Sequence, residues 1–290
     1  MHYEFPRNSS KRPNVRQTSE ILALSHQWQQ DCSNALRKSK SLHATPALLA
    51  YCECSESRNK NMEKCIALDP EGIVLGGFCS STSMNQIEAS LAELRAMESC
   101  DHLCRILPAV GEPLKVLKAV INGADLFDFD YPQVLTQMGY ASTFQLWPPD
   151  WNVLPDESPS YLAKCDYNGN GRCTISVTKG LESLAAVPTN NTSTLKLRIR
   201  DPEFERDTGV LVNGCGCYTC RNHSKAYLNH LLNSHEMLGE TLLHTHNVHY
   251  YHTFFAAIRQ AIRKGRFQEY IEWFLDSNTQ RQYWDSMDKM

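Results

Sequence analysis

The sequence is short of the features that would send a chain into a membrane or out of a cell. Its opening residues, MHYEFPRNSSKRPNVRQ, contain no apolar core of the kind a secretory signal needs, so secretion is not expected. No apolar run approaches the roughly 18 residues of a membrane-spanning helix, so no transmembrane segment is expected. An excess of charge of one sign is missing too: 29 Lys and Arg against 32 Asp and Glu give a formal net charge of −3. A broadly basic surface is therefore excluded, and any contact with RNA phosphates must be local or carried by a partner. Within these bounds the chain is ordinary. Its 290 residues, 42% hydrophobic and 21% charged, suit one large domain, or a domain with a small appendage, holding its core without disulfides.

Cysteine is plentiful. Twelve are present: Cys32, Cys52, Cys54, Cys65, Cys79, Cys100, Cys104, Cys165, Cys173, Cys215, Cys217 and Cys220. In the reducing, cytoplasmic setting expected here thiols stay free, and tight clusters read as metal sites before disulfides. Scattered members such as Cys32, Cys79 and Cys100 read as small buried hydrophobes.

Hydrophobic periodicity organises the chain. Residues 1–16 are polar and expected to be disordered, and a helix is expected over about 18–36. Strands at 46–54, 72–77, 104–110 and 124–128 alternate with helices at 57–67, 84–100 and 113–123. Such alternation predicts βαβ units and a parallel sheet, although four strands do not close a barrel. Between Tyr131 and Leu211 the texture becomes irregular, with strands expected at 141–146, 173–177 and 195–199. HSKAYLNHLLNSHEML reads as one helix, and YYHTFFAAIRQAIRKGRFQEYIEWFL as one or two more, punctuated by Gly265.

The chemistry concentrates in GCGCYTC, which sets Cys215, Cys217 and Cys220 in a C-x-C-x-x-C pattern. Three thiolates this close converge on one tetrahedral zinc ion if the backbone folds into a tight knuckle, for which Gly214 and Gly216 offer the freedom. A fourth ligand is expected from the histidines downstream: His244, His246, His249 and His252 all qualify on chemistry alone. His223, His230 and His235 are expected to face solvent from the intervening helix. A calcium loop at DYNGNG is rejected: Asp166, Asn168 and Asn170 fit the template, but the twelfth position is Val177 rather than Glu, and a hairpin turn reads better. Cys52 and Cys54 with Cys65 form a weaker metal candidate, set aside as strand residues.

These residues resemble the tRNA-guanine (queuine) transglycosylases. In that family the C-x-C-x-x-C motif is followed, after 25 residues, by the histidine ligand, which here selects His246. HEMLGETLL and HTHN (244–247) look like the text between, and GIVLGGF (72–78), AVGEP (109–113) and GADLFDFDYP (123–132) are similar to the family's substrate-strand, turn and nucleophile segments. The resemblance implies a (β/α)8 TIM-barrel-type α/β fold, here N-terminally incomplete over 17–290, with a zinc-binding subdomain at about 195–250 and C-terminal helices after it. It implies exchange of guanine at the tRNA wobble position for a deazaguanine base, and it sets Asp128 at the nucleophile position.

The departures imply a different role. FDYPQVLTQMGYAST (129–143) stands where catalytic members have C-V-x-P-T-R, and AYCECSESRN (50–59) replaces a base-binding G-x-V-Q-G-G. The first strands, with the second catalytic Asp, have no counterpart, and a shortened form of a longer chain is expected. Asp128 therefore reads as a strand-end carboxylate. The chain reads as a non-catalytic member that forms a heterodimer with a catalytic subunit and meets tRNA through that complex. Peripheral association with the mitochondrial outer membrane is implied by the resemblance alone. The aromatic-rich C-terminal helices, carrying Tyr250, Tyr251, Phe254, Phe255, Phe267, Tyr270, Trp273 and Phe274, suit either interior packing or an interface, and Arg259, Arg263, Lys264 and Arg266 form the best local basic patch.

Overall fold

A computed structural model describes residues 15–38, 47–49, 62–70, 72–75, 84–96, 103–108, 110–128, 130–149, 151, 164–168, 172–176 and 195–278. The chain divides into two compact units, Met1–Asp130 with Met287–Met290, and Tyr131–Ser286. No helix among the described residues is long and apolar enough to cross a membrane.

The first unit opens on helix α1 (Val15–Lys38), so the expected disorder of 1–16 lies almost wholly outside the described residues. Strands β1 (Ala47–Leu49), β2 (Gly72–Val74), β3 (Cys104–Pro108) and β4 (Leu126–Asp128) then form a parallel sheet in the order β1-β2-β3-β4. Its register sets Leu48 beside Ile73, Ile73 beside Arg105, and Leu107 beside Phe127. Helices α2 (Met84–Arg95) and α3 (Pro113–Ile121) supply two of the crossovers that parallel strands require. Each has a clear physical reason. The stripe Met84, Ile87, Leu91 and Leu94 of α2 is buried at helical spacing. Pro113 opens α3 in the first turn, where its missing N–H costs nothing. Ile73, Leu75, Leu107, Leu114 and Leu117 complete the core. The α/β class and the parallel order agree with the alternation of the sequence, and no closed barrel exists among the described residues. The expected strands extend beyond what is described at 50–54 and 76–77.

The second unit begins with α4 (Tyr131–Gln137) and β5 (Tyr140–Ser142), which pairs antiparallel with β8 (Lys196–Arg198). Between them β6 (Lys164–Asn168) and β7 (Arg172–Ser176) form an antiparallel pair with Asn168 opposite Arg172. Residues 169–171 and Val177 lie outside the described residues. Four helices follow: α5 (Tyr218–Asn222), α6 (Lys225–Asn233), α7 (Met237–Arg263) and α8 (Phe267–Ser277).

One expectation needs correction here. The stretch 223–238 is not one helix. It breaks after α6 at His235, whose φ of 57° is left-handed, and α7 starts afresh at Met237. The second break does fall at Gly265, at φ 66°. The aromatic residues of α7 and α8 mostly serve the interior. Tyr250, Tyr251, Phe254, Tyr270 and Phe274 are buried, and Phe144 forms edge contacts with Tyr250 at 5.2 Å, Phe254 at 5.2 Å and Phe274 at 5.6 Å between ring centres. Such contacts add about 0.5–1.5 kcal/mol each beyond the area they bury.

Candidate metal centre

The knuckle begins where the chain turns at Gly214, whose φ of 76° is the left-handed conformation glycine accepts without strain. Gly216, expected to share that task, does not adopt a positive φ. Cys217 then caps helix α5: its sulfur accepts the Cys220 N–H at 3.2 Å. This one contact closes the C-x-x-C half of the motif and points both sulfurs the same way. Thr219 pins the short helix to α7 by donating its hydroxyl to the Leu242 carbonyl at 2.6 Å. His246 lies one helical turn beyond Leu242, so the pin aligns the ring with the sulfurs.

The structure brings Cys215, Cys217, Cys220 and His246 together, with their ligand atoms all within 4.8 Å of one another. His246 Nδ1 stands 3.8 Å from Cys215 Sγ, 3.5 Å from Cys217 Sγ and 3.4 Å from Cys220 Sγ. A tetrahedral ion with sulfur at about 2.3 Å and nitrogen at about 2.0 Å separates the two atom types by about 3.5 Å. The donor set therefore fits, and these four residues could hold one metal ion. Among the rival histidines, His230 and His235 are exposed, while His244, His249 and His252 share helix α7 without joining the group. His223 caps the end of α5 and stacks on Tyr227 at 5.2 Å.

The buried donors shift one another's proton affinities in opposite directions. Cys217 is pulled far below the usual thiol range by hydrogen bonds from Cys215 and Cys220, with His246 adding to the effect. Cys215 is pushed far up, because it donates to Cys217 and Cys220 and is buried. Burial lowers His246, yet its hydrogen bonds to Cys217 and Cys220 outweigh that and lift it to about 10. Without a cation the protons crowd onto the donors. A metal ion held by the three sulfurs and His246 Nδ1 would take the place of the protons these donors share.

Around the group lies a shell that the sequence pattern left unassigned. His246 Nε2 meets the Ser142 carbonyl at 2.9 Å, which fixes it as the protonated nitrogen and leaves Nδ1 for the metal. Tyr250 packs its ring 5.3 Å from the imidazole and donates its hydroxyl to the Phe144 carbonyl. Leu211, Leu228, Leu231, Leu232, Leu242 and Leu243 enclose Cys217 and Cys220 in one apolar cluster. Only the HN pair inside HTHN signalled any of this, and it carried no role on its own.

The remaining candidates fall elsewhere. Asp128 stands exposed at the carboxyl end of β4, in register with Pro108, in the first unit. Cys65 is buried, its thiol donates to Gln29 Oε1 at 3.3 Å, and burial pushes it up to about 11. Cys52 and Cys54 lie outside the described residues, as do Cys79 and Cys100. Cys32, expected to be buried, is exposed.

Comparison with known proteins identifies the family. A sequence profile of the family described as queuine tRNA-ribosyltransferase matches residues 5–280. The chain is 32% identical over 208 residues to the queuine tRNA-ribosyltransferase accessory subunit 2 of Xenopus laevis, covering 72% of this chain and 48% of that one. It is 33% identical over 200 residues to the protein of the same name from Danio rerio, covering 69% and 46%. A queuine tRNA-ribosyltransferase from Thioalkalivibrio sulfidiphilus is 27% identical over 223 residues, covering 77% and 47%. The chain spans about half the length of these curated relatives. With the profile matched over nearly its whole length, the chain belongs to the queuine tRNA-ribosyltransferase family.

Proposed function

We propose that this chain is a non-catalytic, zinc-holding subunit of a queuine tRNA-ribosyltransferase complex, which exchanges guanine for queuine at the wobble position of tRNAs with GUN anticodons. The observation that carries the reading is the similarity to relatives named accessory subunit 2, at 32% and 33% identity, in a chain whose 129–143 stretch departs from the catalytic pattern. Zinc is the ion of choice for three thiolates and one imidazole in a closed, buried site. Its role is structural: it joins α5 to α7. The described parallel strands are read as part of a (β/α)8 barrel, the architecture of the family.

The partner is the catalytic subunit, in a heterodimer through which tRNA is met. Tyr218, Tyr227, Met237 and Leu238 leave 55%, 39%, 85% and 47% of their surfaces exposed on α5, α6 and the start of α7. Exposed apolar side chains on adjoining elements suit a protein interface. Arg259, Arg263 and Lys264 are exposed along the end of α7, where phosphate could approach. A cytoplasmic location with peripheral association at the mitochondrial outer membrane rests on the resemblance alone and is tested by fractionation.

A second reading keeps Asp128 as the nucleophile of an active transglycosylase. It is favoured by the similarity to the Thioalkalivibrio protein and by the position of Asp128 at the carboxyl end of a parallel strand, where barrel enzymes place their chemistry. Labelled-guanine exchange into tRNA, with and without a catalytic subunit, separates the two. The accessory reading expects exchange only with the partner, undiminished by Asp128→Asn, and co-elution of both chains in size-exclusion chromatography with light scattering. Exchange by this chain alone, or its loss on Asp128→Asn in an intact complex, establishes the second reading instead.

A further inference from the structure

Strand β5 has two edges, and they are satisfied differently. Toward β8 the Ile199 N–H donates to the Gly139 carbonyl at 2.9 Å and the Thr143 N–H to the Leu195 carbonyl at 3.2 Å. The groups of Tyr140 and Ser142 turn the other way, to helix α7. There Asn247, fully buried, takes the place of a neighbouring strand: its Nδ2 donates to the Tyr140 carbonyl at 2.9 Å and its Oδ1 accepts the Ser142 N–H at 2.9 Å. The second hydrogen on Nδ2 reaches Thr136 Oγ1 at 3.1 Å, and the Thr136 hydroxyl in turn donates to the Pro132 carbonyl at 2.7 Å. The next acceptor along the same edge is the Ser142 carbonyl, which receives His246 Nε2 at 2.9 Å.

We propose that Asn247 is the positioning residue of the metal centre: by holding Tyr140 and Ser142 it aims the Ser142 carbonyl at His246 Nε2 and so turns Nδ1 toward the three sulfurs. The inference rests on the reading of Cys215, Cys217, Cys220 and His246 as a metal site. Its reason is geometric. A carbonyl orients an imidazole only if the backbone that carries it is held: the Ser142 carbonyl's own peptide is tied on the β8 side by the Thr143 N–H, and Asn247 grips the N–H on the other side of the same residue. Groups of this kind behind a metal ligand are worth about 10- to 100-fold in metal affinity.

The same segment contains its own control. Asn278 accepts the Gln145 N–H at 2.7 Å and donates to the Phe274 carbonyl at 2.9 Å, which is a similar clasp three residues further on. Both of these bonds reach residues outside the metal group. A purely structural role for Asn247 would make the two asparagines equivalent in their effect on metal.

The test compares the full chain, purified with zinc, as wild type, Asn247→Ala, Thr136→Val and Asn278→Ala. Zinc affinity is read by competition with a chromophoric chelator, and the ligand geometry from the visible absorption of the cobalt-substituted protein. Asn247→Ala is expected to weaken zinc about 10- to 100-fold and to alter the cobalt bands. Thr136→Val should move both in the same direction by less, while Asn278→Ala lowers the melting temperature with affinity and spectrum unchanged. Wild-type affinity and spectrum in Asn247→Ala, or an equal loss in Asn278→Ala, overturns the proposal. Should Asn247→Ala fail to fold, an unchanged Thr136→Val overturns it as well. A wild type that takes up no zinc sinks the metal reading itself, which is a separate outcome.

Discussion

Three sulfurs and an imidazole crowded into an apolar pocket repel one another as ligands and compete for protons as acids. A cation held by all four would resolve both conflicts, and its binding free energy would then also be folding free energy. Cys217→Ser is expected to lose metal and helicity together, read by metal analysis and circular dichroism. His246→Ala should weaken zinc beyond the roughly 100-fold reached by outer groups, whereas His244→Ala, two residues along the helix and outside the group, should stay close to wild type. Chelator competition distinguishes them, and the reverse order would show that family spacing had misassigned the ligand. A second residue sets a pH dependence. The side chain of Asp207 accepts from Lys225 Nζ at 2.6 Å and from the Gly209 N–H at 2.8 Å, and the Lys225 bond leads in holding its carboxyl below the usual range. A depressed folded-state value means that the stabilisation is complete above the unfolded value of about 3.9 and is lost as pH falls through the folded one. Asp207→Asn should therefore cost about 0.5–1 kcal/mol at pH 7, and the difference from wild type should vanish in acid, read as paired urea midpoints. A gap independent of pH would mean that the carboxylate charge is irrelevant.

Elements show where local sequence rules hold and where packing overrides them. The stripe of α2, the Pro113 start of α3 and the C-x-C-x-x-C knuckle were all legible, because periodicity, a fixed φ and ligand spacing are properties of neighbours in sequence. The break between α6 and α7 was not. NSHEM carries no Gly or Pro, so the stretch reads as continuous helix, yet His235 is left-handed and the Glu236 N–H folds back to the Leu231 carbonyl at 2.9 Å. The reason lies in the contact beyond the turn. A Cβ on Gly239 would stand 2.9 Å from Leu231 Cβ and 3.1 Å from the Leu232 nitrogen, so α6 and α7 cross there at a distance only glycine permits. Two outcomes follow for thermal unfolding. His235→Gly should stabilise by up to about 1 kcal/mol, because the left-handed strain of an exposed residue is removed. Gly239→Ala should destabilise by about 1–3 kcal/mol, since the clash involves backbone and cannot relax by a rotamer change. Opposite signs in both would place the crossing elsewhere. Asn247 was invisible for the same reason as the turn: its partners at Thr136, Tyr140 and Ser142 are more than 100 positions away in sequence.

At the scale of the whole molecule, alternation of strands and helices made the parallel sheet legible, and the change to an irregular texture at Tyr131 falls where the second compact unit begins. The division has an energetic consequence. The four candidate metal ligands come from the knuckle before α5, from α5 itself at Cys220, and from α7; His246 reaches β5 through Ser142, and Asn247 reaches α4 through Thr136. All of these elements belong to the Tyr131–Ser286 unit, whereas the Met1–Asp130 unit has its own sheet and its own core of Ile73, Leu91, Leu107 and Leu114. Metal removal should therefore act unevenly, because a ligand stabilises the cooperative segment that binds it and leaves an independent one alone. Hydrogen exchange followed peptide by peptide is the measurement. With a strong chelator present, amides of 218–233 and of 140–143 are expected to lose protection by several orders of magnitude, while those of 84–95 and 104–108 keep theirs. Protection retained in 218–233 after complete metal loss would show that the apolar cluster around Cys217 and Cys220 holds the unit without the ion. Loss of protection in both units together would show one cooperative fold, in which the metal stabilises the parallel sheet as much as the helices that ligate it.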